Sequence, residues 1–293
     1  MPRDLSDVLH YFLPETEPSS HRVEGAEPDG PGADARPAPG EWERLPIPPP
    51  HGTSDTPGAP VTAPKAALPI VAIPADDEDV VRAALLWNLS IEIARRGGRS
   101  LLLRPDRPAA GPAWPRAGRQ PLGAELLLRP ARDLGELYRA AVDLALLRAT
   151  AGEHGVVLVQ VPPEWLGAPG DGAALLKWTL LLTRSETADL RMTWRLARTL
   201  VAARPDARLG VTIHGATSRE SAERGFGSLA RAARARLGRD LSSYGLLVDD
   251  LHVYRALTHE RPIGLTHPQS LAARALHDVA GILLDDARDL DLG

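Results

Sequence analysis

Residues 71–106, VAIPADDEDVVRAALLWNLSIEIARRGGRSLLLRPD, decide how this chain folds. An apolar run starting at Leu68 (LPIVAI, 68–73) reads as a buried strand, and the polar turn after it gives way to a helical pattern over 80–96. Gly97-Gly98 supplies the stop that such a helix needs, and a second strand, SLLL at 100–103, follows at once and is closed by Pro105. The alternation continues. A helix is expected over 131–150, a buried strand over 156–161 (VVLVQV) stopped by Pro162-Pro163, and another strand over 178–183. Helix 188–203 leads to strand 209–213, helix 220–237 to strand 244–248, and a last helix runs from Ser270 to about Asp286.

Strands this short and continuously apolar are buried on both faces, and strands that alternate with helices pair in parallel through crossovers. The expected fold is therefore α/β: one doubly wound, mainly parallel sheet over residues 67–287 with helices on both faces, followed by an acidic tail at 288–293. Ligands in such sheets sit at the C-terminal strand ends, so the turns after Ile73, Leu103 and Val161 are the places to look for chemistry.

Ahead of that domain the composition changes. Residues 1–64 hold 14 of the 28 prolines and 11 acidic against four basic residues, so this tract carries −7 and the remainder +3. Residues 14–66 are expected to form a disordered Pro/Gly/Ala-rich linker, because they cannot bury enough apolar surface to offset chain entropy. The PIPPP run at 46–50 reads as locally extended polyproline II, a spacer rather than a docking motif. The first 13 residues differ: Leu5, Val8, Leu9, Phe12 and Leu13 make one apolar stripe of a short amphipathic helix that Pro14 stops. A helix this short is marginal in water, so it orders only when covered, by the chain's own body or by the groove of a protein partner. Asp4 and Asp7 on its polar face argue against a membrane surface.

With 293 residues, 43% hydrophobic and 25% charged, the chain can bury a real core, which rules out wholesale disorder. The absence of cysteine excludes disulfides, thiolate metal sites, iron–sulfur clusters and a cysteine nucleophile, and is compatible with a reducing compartment. A net charge of −4 gives no ground for wholesale nucleic-acid binding. No apolar run is long enough to span a bilayer, and the N-terminus lacks the basic and apolar regions of an export signal, so the expected location is cytoplasmic.

Residues 71–106 resemble the opening of a MinD/ParA-type P-loop ATPase, the flagellar-number regulators of that group included, where a strand meets a KGGVGKT-type loop and a helix containing ANLA. Asn88-Leu89 stands at the NL of that helix, ARRG at 94–97 at its usual end, and 101–106 at a second strand that in the family reads LLIDAD. VLVQVPP at 157–163 resembles the third diagnostic strand, usually VLIDTPP. YGLLVDD, RPIGLTHPQS and ALHDVAGIL, all between 244 and 284, resemble the family's last third. The resemblance covers about residues 68–284, with 107–131 matching poorly. It implies a P-loop NTPase-like fold and puts the family's functional positions on particular residues of this chain.

Those positions carry the wrong chemistry. A phosphate cradle needs glycines so that backbone N–H groups approach the oxygens, a lysine to neutralise charge, and a Ser/Thr hydroxyl for magnesium. By the resemblance, the loop glycines are replaced by Asp76, Glu78, Asp79 and Val81, the intersubunit lysine by Asp77, the phosphate lysine by Arg82 and the magnesium hydroxyl by Ala83. The water-orienting aspartate falls at Arg104 and the magnesium-linked aspartate at Gln160, which leaves only Asp106 of that set. Carboxylates thus stand where a triphosphate would lie. At an effective dielectric near 20, each like-charge pair at about 4 Å costs about 4 kcal/mol, so one or two would cancel a micromolar affinity of about 8 kcal/mol. Phosphoryl transfer is catalysed by positioning and charge stabilisation, and here the lysine, the hydroxyl and both carboxylates are gone. The expectation is a pseudo-ATPase with no cofactor and no metal. The acids also have a plain local role, since Asp and Glu in a first helical turn favour the macrodipole.

By the same resemblance, His214 ends a strand where the family commonly has an asparagine that reads adenine. With Pro268 of the proline-bearing loop it marks a candidate relic of the base pocket, a hydrogen-bonded strand-end histidine being the plainer alternative. His252, His259 and His267 have no recognised metal spacing, and two of them are expected in surface loops. Ser90, His214 and Asp249 lack the order and context of a catalytic triad. Arg231, Arg234 and Arg236 form a basic helix face, in a chain whose 34 basic residues include only the lysines Lys65 and Lys177.

The function expected from all this is a regulatory or scaffold protein of bacterial spatial organisation. It recruits a protein partner through its N-terminal helix, while the body pairs as a homodimer or as a heterodimer with an active relative. The alternatives are an active ATPase using a displaced lysine or arginine finger, and a partition-type DNA-binding protein. Nucleic acid is not the expected partner, and neither is a membrane, because Asp285, Asp286, Asp289 and Asp291 stand where membrane-cycling relatives carry a basic amphipathic helix.

Overall fold

The structure, a computed structural model, describes residues 67–76, 79–107, 115–149 and 154–291. The stripe of Leu5, Val8, Leu9, Phe12 and Leu13, the linker after it, and Asp77 and Glu78 lie outside the described residues.

Eight strands form one sheet: β1 (Ile70–Pro74), β2 (Arg99–Pro105), β3 (Gly118–Arg119), β4 (Glu125–Arg129), β5 (Gly155–Val161), β6 (Trp178–Thr183), β7 (Arg208–Ala216) and β8 (Leu241–Val248). Their spatial order is β3-β4-β2-β5-β1-β6-β7-β8, and every pair is parallel except β3 with β4. The helices are α1 (Val80–Arg95), α2 (Leu134–Arg148), α3 (Thr187–Ala203), α4 (Arg219–Leu237), α5 (Leu251–Thr258), α6 (Ile263–Thr266) and α7 (Leu271–Asp291).

Side chains alternating across each strand build two cores at once. Ala72 of β1 and Val157, Val159 and Val161 of β5 enter one cluster, together with Leu137 of α2, Leu200 of α3 and Phe226 of α4. Val71 and Ile73 of β1 and Val156 and Leu158 of β5 enter the other, against Leu86 and Leu89 of α1 and Leu276 and Leu283 of α7. Both faces of the central strands are thus removed from water, and each fully buried Val, Leu or Ile contributes about 1.5–3 kcal/mol of transfer free energy. Selection for apolar side chains on both faces is what makes these strands read as unbroken hydrophobic runs.

Helix α1 is buried over its whole middle, from Ala83 to Ile93, polar residues included. Asn88 is the informative one. Its amide nitrogen donates to Ala84 O (2.9 Å) and its oxygen accepts from the backbone N–H of Ile263 (2.8 Å), which ties α1 to α6. The helix ends where the N–H of Gly98 reaches Ile93 O (3.0 Å) and Gly97 takes a positive φ of 80°, the left-handed stop expected from the glycine pair. At the far edge, Tyr244 of β8 donates its buried hydroxyl to Asp286 of α7 and accepts from Trp178 Nε1 (3.2 Å). Burial and the neighbouring Asp286 carboxylate raise the Tyr244 hydroxyl well above its ordinary value.

The structure departs from the expected elements in three places. The poorly matching stretch holds the β3–β4 hairpin, whose two-residue strand β3 is too short to show any period. Helices α5 and α6 occupy a region with no expected element; His252 lies within α5, whereas His259 and His267 follow the ends of α5 and α6 outside any helix. Helix α7 continues to Asp291, so much of the expected acidic tail is a last helical turn, and Asp286 faces the core, not solvent. Among the described residues no helix is long and apolar enough to cross a membrane.

Candidate functional site

The C-terminal ends of β1, β2 and β5 lie side by side, and their register sets the level at which the candidate residues meet. Leu103 sits opposite Val159 and Ile73 opposite Gln160, so Arg104, Gln160 and the start of the β1–α1 loop stand at one level. Strand alternation puts Arg104 with Leu102, and Gln160 with Leu158, on the sheet face covered by α1. Both side chains are buried, 6% exposed for Arg104 and 1% for Gln160, and Gln160 Nε2 donates to Ala75 O at 3.4 Å. A guanidinium and an amide therefore occupy the floor that the resemblance assigns to two carboxylates. Asp106 is exposed just beyond β2, where its N–H donates to Arg129 O (2.7 Å).

Above that floor, the turn closes on itself. Asp79 is the N-cap of α1: its Oδ1 accepts from the backbone N–H of Arg82 (2.9 Å) and its Oδ2 pairs with the Arg82 guanidinium (3.0 Å). The N–H of Asp79 in turn donates to Asp76 O (3.3 Å). One carboxylate thus satisfies both a first-turn backbone donor and the guanidinium of the same residue. Ala83 presents a buried methyl at the next position. Asp77 and Glu78 complete the sequence of acids but lie outside the described residues.

Beside this turn, a cleft of about 300 Å³ opens between α1 and the ends of β6, β7 and β8. Its charged lining is Asp79, Arg82, Arg184, Asp189, Asp249 and Asp250, and His214 of β7 stands at its base. His214 is only 6% exposed, and its Nε2 has no hydrogen-bond partner among the described residues. Burial, with the Arg82 charge adding to it, lowers its pKa to about 4, so the ring is neutral at physiological pH. The expectation of a hydrogen-bonded strand-end histidine is not met at Nε2. Pro268 is exposed in the turn before α7 and does not line the cleft, so the structure does not bring it together with His214.

Asp250 is already committed. It caps α5 by accepting from the N–H of His252 (2.9 Å), takes a contact from His252 Nδ1 (2.8 Å), and accepts from the N–H of Ala272 (3.2 Å). Its partial burial works against ionisation, but these donors, the His252 N–H foremost, hold the carboxyl below its usual value. Asp249 accepts from the Tyr254 hydroxyl at 3.3 Å, and its charge raises the Tyr254 pKa. Elsewhere, the His252 and His267 rings meet at 4.5 Å and His259 Nδ1 contacts Arg255 O at 2.7 Å, while Arg234 Nε pairs with Asp240 at 2.8 Å. Among the described residues, no group of three or more His, Asp or Glu side chains is placed to hold a metal ion.

Sequence reasoning placed the chemistry after β1, β2 and β5 and, on the second half of the rim, singled out only His214. Arg184, Asp189 and Asp250 have no part in it, and Asp249 enters only as a failed triad member. The signal was available, because the strand-end rule applies equally to the turns after Thr183, Ala216 and Val248.

No family model matches the sequence, and no curated protein matches it either. Solved structures do match by fold. The MinD cell division protein of Aquifex aeolicus aligns over 74% of this chain and 97% of its own, with 16% identity and a TM-score of 0.55. The same organism's MinC:MinD cell division protein complex aligns over 74% and 96%, with 14% identity and a TM-score of 0.55. The septum site-determining protein MinD of Pyrococcus horikoshii, complexed with Mg-ADP, aligns over 76% and 98%, with 14% identity and a TM-score of 0.50. At such identities the likeness carries the fold alone: from its central strand to its last helix, the body of this chain has the mainly parallel, doubly wound architecture of the MinD proteins.

Proposed function

We propose that this chain is a MinD/ParA-like pseudo-ATPase, acting as a regulatory or scaffold protein in bacterial spatial organisation. The observation that carries the proposal is the self-closed turn at the head of α1, where Asp79 takes both the Arg82 N–H and the Arg82 guanidinium. A triphosphate seated there would have to displace a carboxylate from its own helix N-terminus and then lie beside it. The buried methyl of Ala83 supplies no hydroxyl for magnesium, and Arg104 and Gln160 supply no carboxylate. Recruitment would run through the amphipathic stripe of Leu5, Val8, Leu9, Phe12 and Leu13. A neighbour of the same fold is solved as a complex with a second protein, MinC, which supports a partner-binding use of the scaffold.

Two measurements test this. Isothermal titration of the full chain with Mg-ATP is expected to give no saturable heat; a micromolar isotherm, or phosphate release above background, overturns the pseudo-ATPase assignment. Deleting residues 1–13 is expected to abolish partner pull-down without changing the melting temperature, and retained binding removes the helix from the proposal.

A further inference from the structure

We infer that the cleft between α1 and the ends of β6, β7 and β8 is a binding site for an alkyl cation rich in N–H donors, a guanidinium or primary amine carried on a short aliphatic stem. The inference goes beyond the pseudo-ATPase proposal and rests on it only in taking the cleft to be free of nucleotide.

Charge bookkeeping around the cleft decides the sign of the ligand. The Arg82 guanidinium is answered by Asp79 at 3.0 Å, and Arg184 by Glu186, at 3.4 Å from its Nε. The Asp250 carboxylate already accepts from the N–H groups of His252 and Ala272. What remains is Asp189 and Asp249, neither of which forms an ion pair among the described residues, although Asp249 accepts one hydroxyl from Tyr254. Two carboxylates without a close ion pair, in a concave site whose lining holds four acids against two arginines, attract a cation and repel a phosphate.

The base of the cleft points the same way. An imidazole 6% exposed with an orphaned nitrogen is an unmet hydrogen-bonding requirement, which a folded protein does not leave in place without cost. A neutral ring does not repel a cation and offers a lone pair on one nitrogen, so it can accept from a ligand N–H that also faces a carboxylate. Leu85, Val253 and Leu276 line the same cleft and provide an apolar wall for the aliphatic stem. A volume of about 300 Å³ is at the small end of ligand sites, suited to one side-chain-sized group. The same head group could arrive on a free metabolite or on an arginine side chain of a partner protein.

The test uses the full chain. Butylguanidinium is titrated by calorimetry and by amide NMR, with neutral butylurea as its isostere and with Mg-ATP in the same format. Saturable binding of butylguanidinium, with shifts at the Gly215 and Asp249 amides, is expected, together with at least tenfold weaker binding of butylurea. Asp189→Asn with Asp249→Asn is expected to weaken butylguanidinium at least tenfold, while Asp171→Asn, outside the cleft, leaves it unchanged; melting temperatures check that each variant folds. An arginine-containing peptide binding more tightly than free arginine assigns the site to a protein partner, and the reverse order assigns it to a metabolite. The inference is overturned if butylguanidinium does not saturate, if butylurea binds equally well, or if the double variant folds and binds unchanged. Binding of Mg-ATP would instead overturn the pseudo-ATPase assignment, so the two failures are distinct.

Discussion

The turn at the head of α1 makes a quantitative prediction that separates a capping carboxylate from a charged one. Asp79→Ala removes an N-cap bond of 2.9 Å, a change that typically costs about 1 kcal/mol. It also removes an ion pair whose side chains are 24% and 31% exposed, which at that exposure is worth about 0.2–1 kcal/mol. Loss of a negative charge from a helix N-terminus adds about 0.3–1 kcal/mol. These terms overlap, so the expected loss is about 2 kcal/mol. For a domain of this size, where each kcal/mol moves the melting temperature by about 2–4 °C, that is a drop of about 4–8 °C. Asp79→Asn keeps a capping oxygen and loses only the charge, so its cost should be about half that or less, and should shrink further in high salt as the exposed pair is screened. Urea denaturation of both variants at low and high salt reads the difference directly. Equal losses for Asn and Ala would show that charge, not the cap bond, holds the turn. A neutral Asp79→Ala would show that Asp79 does not close the helix at all, and the case for a self-satisfied phosphate position would go with it.

Three further outcomes follow from buried groups. His214 stays neutral in the folded chain with a pKa of about 4, whereas the unfolded chain takes up its proton near about 6.5, so stability is eroded as pH falls through that window, by up to about 3 kcal/mol. His214→Gln should flatten that part of the stability–pH curve, and an unchanged curve would refute burial as the cause. Tyr244→Phe takes from Asp286 a buried donor and should cost about 1–3 kcal/mol in denaturant titration, with no loss expected if the pair were solvent-screened. A Cβ at Gly210 would lie 2.3 Å from the Tyr244 ring, so Gly210→Ala should cost about 1–3 kcal/mol by overpacking, visible in the same assay as a lower midpoint at constant slope.

The central strands are legible in the sequence because burial on two faces forces an unbroken apolar run, and β1, β2, β5 and β6 all show it. Helix α1 is legible because the Gly97-Gly98 stop and the start at Val80 bracket it. The β3–β4 hairpin is not, since a two-residue strand held by one edge has no periodicity to display. Helix α5 is missed for a related reason: eight residues that bury only Ala256 give too weak a face to separate from a loop. At the site, the substitutions at Arg82, Ala83, Arg104 and Gln160 can be read residue by residue, but not their consequence. That Arg82 folds back on Asp79 is a contact within one helical turn, and the i,i+3 spacing permits it without requiring it. The cleft around His214 depends on side chains from six separate elements meeting, and convergence of that kind has no local signature.

On the pseudo-ATPase proposal, the scaffold keeps its fold without phosphate chemistry because the two would depend on different residues. Helix α1 is anchored by its buried run from Leu85 to Ile93, by the Asn88 bridge to Ile263, and by Glu92, whose Oε2 meets His277 Nδ1 at 3.0 Å across to α7. A phosphate loop, by contrast, asks for glycines that raise the entropy lost on folding and for N–H groups left unsatisfied until a ligand arrives. On that proposal, a self-capping turn at the head of α1 satisfies its own first-turn N–H without a ligand, while the sheet and its helix layers keep the anchors just named. On this account the acids and Arg82 make up one exchange, and restoring Lys at 82 and Thr at 83 without removing Asp79 should not restore nucleotide affinity, because the helix N-terminus would still be occupied by its own carboxylate.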